Sequence, residues 1–264
     1  MPAMSFGEFY LHYDAPESGR YRAPILVLAG LFQSFGCWRP VTSMLAHRGW
    51  EVYCLTRVMP DREGDPRILD DSWEGARARI AQVAARLDSP LVLFGSDAGA
   101  ALSLSVCGEL PVLALAMFSP SEPAALAAAH HKTLGLRQRL LGRGGAGADA
   151  TVAPQPQLVG EKVEPSDILE EPAGFVDALA GTSFARPEKH PPALVFVSEN
   201  DPLVPHDQAM QFVREPYAKA SRMRLNGRFW PVTGGANVAD EVHRFLILTL
   251  GDRVVDFPDE ILDD

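Results

Sequence analysis

Asp97 stands between two glycines in the run Gly95-Ser96-Asp97-Ala98-Gly99. The spacing G-x-Asp-x-G is that of a sharp turn that pushes its central side chain outward. A carboxylate in that place is ionised near neutral pH, so it needs no base to become a nucleophile. The positive end of a following helix would favour the ionised form. A second carboxylate, Asp201, lies in the turn-rich stretch Glu199-Asn200-Asp201-Pro202-Leu203-Val204-Pro205. If the two approach each other with no base between them, they would share a proton and suit acid/base work.

These side chains need a scaffold, and the flanking residues supply its pattern. Leu91 to Phe94 follows Pro90 and is too short for a helix, but it suits a fully buried strand. The small residues Ala98 to Ala101 then open a helix. Ile25 to Gly30, Val112 to Phe118 and Ala193 to Ser198 are continuous apolar runs of the kind found in interior parallel strands. Between them fall helices at Val41 to Arg48 and at Trp73 to Leu87, with a strand at Trp50 to Leu55. Ser72 is placed to cap the second helix, whose apolar face is Ala76, Ile80, Val83, Ala84 and Leu87. Phe6 to Tyr13 alternates as one half-buried edge strand, and Thr56 to Asp71 reads as a loop. Towards the end come a helix from His206 to Phe212, a strand from Arg228 to Val232 and a helix from Val238 to Leu250. Strands alternating with helices give the α/β class. The pattern breaks from Ser119 to Pro192, where helices over 122–141 and 166–179 flank a Gly- and Pro-rich loop at 142–164 that is expected to be mobile.

Taken together, these stretches resemble the α/β-hydrolase superfamily over most of the chain. The resemblance implies a mostly parallel central sheet with helices on both faces. It also implies a core of residues 1–118 and 193–264, and a lid at 119–192 inserted before the strand that bears the acid. The first block, Ala29-Gly30 followed by Trp38-Arg39-Pro40 and Arg48-Gly49-Trp50, matches the family except that its usual His-Gly has become Ala-Gly. By position, the oxyanion-hole amides would be those of Leu31 or Phe32 together with Ala98, and Ser96 would border the pocket; Leu31 and Phe32 read equally well as plain pocket lining. Asp97 stands where Ser is usual, as in haloalkane dehalogenases and epoxide hydrolases, and Asp201 holds the place of the triad acid. The triad histidine should follow Gly234-Gly235, yet the residues there are Ala236 and Asn237. Those enzymes release their ester intermediate with water activated by that histidine, so without it an ester on Asp97 would persist. They also carry Trp after the nucleophile and tyrosines in the lid, whereas this chain has Ala98 and no lid tyrosine. Of the other histidines, His130 or His131 in the lid helix is the best substitute base, although a surface position suits each as well. His206 is expected at a rim, and His243 on the solvent-facing side of the last helix.

Composition narrows the field. The 264 residues are 47% hydrophobic, enough for one large core. A formal net charge of −10 argues against a nucleic-acid partner, whose phosphates need a basic surface. There is no apolar run of membrane-spanning length and no leader pattern, so a cytoplasmic protein is expected. Cys37, Cys54 and Cys107 lack metal-ligand spacing and read as small core residues, and neither a metal nor a cofactor is expected. The partner is then a small organic molecule. Three readings follow: non-hydrolytic chemistry of lyase, cyclase or isomerase type with Asp97 as acid/base or nucleophile; an inactive pseudo-hydrolase that binds a ligand or protein; and an ester, epoxide or haloalkane hydrolase with a base from the lid.

Overall fold

A computed structural model describes residues 3–6, 9–16, 21–31, 33, 35–56, 58–59, 67–68, 72–129, 131, 150–151, 171–184, 187, 190–198, 204–214, 221–225 and 235–254. In chain order the elements are β1 (Ala3–Phe6), β2 (Phe9–Asp14), β3 (Ile25–Leu28), α1 (Phe35–His47), β4 (Val52–Leu55), β5 (Val58–Met59), β6 (Arg67–Ile68) and α2 (Trp73–Leu87). They continue with β7 (Leu91–Ser96), α3 (Ala98–Val106), β8 (Val112–Phe118), α4 (residues 123–129), β9 (Ala150–Thr151) and β10 (Glu171–Pro172). The last are α5 (Ala173–Ala180), β11 (Ala193–Ser198), α6 (His206–Arg214), β12 (Ser221–Leu225) and α7 (Gly235–Leu250).

Eight strands form one sheet in the order β1-β2-β4-β3-β7-β8-β11-β12. β1 and β2 pair antiparallel, as do β2 and β4, and every later pairing is parallel. The chain crosses from β3 outward to β4 and then returns past β3 to β7. The strand order therefore reverses between β3 and β7, and open α/β sheets bind ligands beyond the carboxyl ends at such a point. Register brings those ends level, with Leu28 opposite Gly95 and Gly95 opposite Met117.

The apolar runs are interior strands because both faces are covered. Phe94, Phe118 and Phe196 stack across three neighbouring strands, with ring centroids 5.2 and 4.4 Å apart in succession. Trp38 meets Phe94 edge-on at 5.1 Å. In α1, Trp38, Val41 and Leu45 recur at helical spacing and are fully buried. Ser72 caps α2 by accepting the Gly75 N–H at 3.1 Å. All three cysteines are buried and none is in a disulfide. Burial pushes the Cys107 thiol up to about 11 and that of Cys54 well up, so neither is a reactive thiolate. Among the described residues, no helix is long and apolar enough to cross a membrane.

Several elements differ from the sequence expectation. The single edge strand over 6–13 is a hairpin, β1 and β2. α1 starts at Phe35, six residues before the expected Val41, and carries Pro40 inside it. Packing of Trp38 on Phe94 outweighs the one helical hydrogen bond that Pro40 forgoes. The loop at 56–71 contains the short β5–β6 pair. Two residues of the expected mobile loop, Ala150 and Thr151, pair with β10, so the second helix begins only at Ala173. The strand beside β11 is Ser221–Leu225, upstream of the expected 228–232. Residues 228–232, and the rest of 142–164, lie outside the described residues.

His243 also differs from expectation. It is half-buried, and its Nδ1 accepts the Trp50 indole N–H at 3.0 Å. Tyr21 stacks on Trp50 at 4.1 Å, and Arg48 pairs with Asp240 alongside. The bond requires neutral imidazole, and burial first, then the Arg48 charge, lowers the His243 pKa against an opposing pull from Asp240. The unfolded chain thus binds this proton more readily than the folded one, so stability is complete above about pH 6.5 and falls as pH drops through that value. Thermal unfolding of the wild type should show that loss between about pH 6.5 and 5, and His243→Gln, which keeps an acceptor for Trp50, should flatten it. An equal acid loss in the variant would assign the dependence to other groups.

Candidate functional site

The expected strand, turn and helix meet at Asp97. β7 ends at Ser96, α3 begins at Ala98, and Asp97 between them has φ 39° and ψ −106°. Such a conformation costs a non-glycine residue on the order of 1–3 kcal/mol, so the surroundings must hold it. Its N–H donates to the Phe118 carbonyl at 2.9 Å, and its own carbonyl accepts the Ala101 N–H at 3.0 Å. The turn is tight because glycines flank it. A Cβ on Gly95 would lie 2.4 Å from the Gly99 backbone, and one on Gly99 would lie 2.1 Å from the Leu28 carbonyl oxygen.

The carboxylate does not reach outward as its spacing implies. Asp97 is only 5% exposed, and its Oδ1 accepts the Leu31 N–H at 2.7 Å and also the Ala98 N–H. These are two of the amides that the sequence resemblance assigns to an oxyanion hole. The side chain therefore folds back and fills the position between them. The other face of the carboxylate lies against Gly30, where a Cβ would be 2.4 Å from Oδ2 and 2.6 Å from Oδ1.

Gln33, to which sequence reasoning gave no role, braces this arrangement. Its Oε1 accepts the Gly30 N–H at 2.7 Å and the Trp38 indole N–H at 3.0 Å, and its Nε2 donates to Ser96 Oγ at 3.2 Å. Gln33 and Ser96 are both buried. The sequence signal for Gln33 was a polar residue, next to Ser34, between Phe32 and Phe35. Behind the loop, a cavity of about 20 Å³ lies between the carboxyl ends of β3 and β4 and helix α2, with Thr56 and Arg79 in its wall. That is room for roughly one water.

The structure thus brings Leu31, Ser96, Asp97 and Ala98 together. Asp201, Phe32 and His130 lie outside the described residues. Ala236 falls in the first turn of α7, and the Asn237 side chain one place on is exposed. His131 is exposed, with Nε2 3.4 Å from Asp177 Oδ1. His206 opens α6, with Nδ1 3.2 Å from Asp207 Oδ1. Among the described residues, no cluster of three or more His, Cys, Asp or Glu is placed to hold a metal ion.

The nearest atoms to a Cβ on Gly30 all belong to the Asp97 side chain. Gly30→Ala should therefore destabilise by about 1–3 kcal/mol in urea unfolding. The same change should be close to neutral in an Asp97→Gly background, giving a coupling of at least about 1 kcal/mol. Additive costs would mean that the carboxylate does not pack on Gly30.

The α/β-hydrolase family model, described as "Alpha/beta hydrolase family", matches residues 25–256. No curated protein matches the chain in sequence. Among solved structures, the chain is similar to a monoacylglycerol lipase from Paleococcus ferrophilus, at 17% identity and TM-score 0.63, covering 92% of this chain and 100% of that one. It is also similar to a bromoperoxidase from Bacillus anthracis, at 16% identity and TM-score 0.62, covering 92% and 96%. An esterase domain from Rhodothermus marinus gives 18% identity and TM-score 0.59, covering 94% of each. At such identities the likeness to these structures is one of fold. With the family model spanning most of its length and the strand order running through the Asp97 turn, this chain belongs to the α/β-hydrolase family.

Proposed function

We propose that this protein acts on a small organic molecule by chemistry centred on the Asp97 carboxylate, of non-hydrolytic lyase, cyclase or isomerase type, and not by serine-type acyl transfer. The observation that carries this reading is the pair of N–H groups, Leu31 and Ala98, both donating to Asp97 Oδ1. Acyl transfer needs that place empty for the substrate oxygen and a base beside the nucleophile. Here an anion already occupies it, and Ala236 and Asn237 stand where the base would be. Asp97 meets substrate through this carboxylate, accepting a proton or a hydrogen bond. Asp201 is the second carboxylate of the site, and the 119–192 segment is its lid. Burial of Phe175, Val176 and Leu179, and the Trp73–Phe184 stack at 5.9 Å, support a lid anchored on α2. The cytoplasm is the proposed compartment, in keeping with an odd number of cysteines.

The third reading, a hydrolase with a lid base, is weakened by the exposed pairing of His131 with Asp177. The pseudo-hydrolase remains a second reading, favoured by the near-complete burial of Asp97 behind its own amides.

Intact-mass spectrometry after exposure to small epoxides, alkyl halides and activated esters separates them. The electrophiles are probes of this carboxylate, not substrates. The proposal expects one stable alkyl adduct on the wild type, none on Asp97→Asn, and no ester turnover. Turnover of an ester with an acyl intermediate would overturn it. No adduct and no turnover with any probe would sink covalent catalysis on these substrate classes and leave acid/base chemistry or the pseudo-hydrolase.

A further inference from the structure

We infer that Gln33 is the positioning residue of this site, the side chain that fixes the Gly30–Leu31 loop against the Asp97 turn so that the two amides converge on one oxygen. The inference rests on reading that convergence as a preassembled anion hole. The two amides come from separate parts of the chain, one after β3 and one at the start of α3. Something must set the distance between them.

The Gln33 amide makes contacts on both sides. Oε1 faces two groups that can only donate, the Gly30 N–H and the Trp38 indole N–H. The oxygen and nitrogen of the amide are therefore assigned by chemistry, since the reverse orientation would set donor against donor twice. Nε2 then points at Ser96 Oγ, the residue just before Asp97. The Gln33 main-chain N–H also donates to the Gly30 carbonyl at 3.4 Å, so backbone and side chain together close the turn from 30 to 33. Gly30 held at its N–H fixes the peptide that follows, and that peptide carries the Leu31 N–H directed at Asp97. One buried side chain thus connects the loop after β3, helix α1 and the end of β7.

A neutral group is what the place accepts. Glutamate would keep both acceptor roles of Oε1, and Ser96 Oγ could donate to its other oxygen, so the fold should tolerate it. It would also set a second negative charge beside the hole. Methionine would keep the volume and lose every bond.

Formate binding to a hole emptied by Asp97→Gly tests the inference, since glycine accepts the positive φ and formate replaces the lost carboxylate. Thermal shift across a formate titration should give saturable stabilisation of Asp97→Gly and none of the wild type. Adding Gln33→Glu or Gln33→Met should weaken formate at least about tenfold, the first by charge and the second by releasing the loop. A residue that merely stabilises the fold would lower the ligand-free midpoint in Gln33→Met and leave the formate affinity of that variant unchanged, whereas the charge effect of Gln33→Glu is common to both roles and serves as the folded control. That result would overturn the positioning role. Failure of Asp97→Gly itself to take formate would instead show that no preassembled hole exists, and the inference would fall with the reading beneath it.

Discussion

The close approach of the Gly30–Leu31 loop to the Asp97 turn is the constraint on which this site depends. Leu31 and Asp97 are 66 positions apart in sequence, yet an N–H of one donates to the carboxylate of the other at 2.7 Å. The energy terms favour keeping it. The positive φ of Asp97 costs on the order of 1–3 kcal/mol. Hydrogen bonds to a charged acceptor contribute about 1.5–3 kcal/mol each, and Oδ1 receives two. The bonds outweigh the strain, and a carboxylate buried to this degree needs them, since an unpaired buried charge would be costly.

The same approach dictates where glycine must stand. Gly99 has the Leu28 carbonyl where its Cβ would be, Gly95 has the Gly99 backbone, and Gly30 has the carboxylate itself. Helix α3 can therefore lie directly on β3 and β7, and the parallel register carries the ends of β3, β7 and β8 to one level. The site lies at the strand-order reversal because the topology leaves its crevice there.

Much of this scaffold was legible in sequence because its signals are local. The apolar runs of β8 and β11 gave their bounds directly, Ser72 marked the start of α2, and the glycine spacing marked the turn. The features that escaped depend on distant partners. Pro40 and Gly36 look like helix breakers until Trp38 is seen packed on Phe94, which extends α1 backward over both. His243 looks solvent-facing beside Asp240 and Arg244 until Trp50 supplies its hydrogen bond. Gln33 finds its partners at 30, 38 and 96, a set no periodicity encodes. The glycine spacing also could not tell that Asp97 folds back between its amides, because rotation of a side chain leaves no mark on spacing.

That fold-back bears on which chemistry the site favours. Interactions equally strong in ground and transition states do not accelerate a reaction. A carboxylate loses charge as it attacks carbon, so the two N–H groups on Oδ1 hold the starting anion more tightly than the transition state and slow the attack. They would help only the next step, when water adds to the ester and charge returns to that oxygen. That step is also the one that needs a base, and the sequence resemblance puts Ala236 and Asn237 at its position. A covalent hydrolytic cycle would thus be hindered in its first half, and on the proposed reading its second half would have the two amides but no base. A role in which Asp97 keeps its charge, anchoring a polar group, gains from the two amides throughout, and a proton taken up by the carboxylate gives up part of that gain only for as long as it stays. The proposed function is accordingly one in which the Asp97 carboxylate is restored unchanged at the end of each cycle.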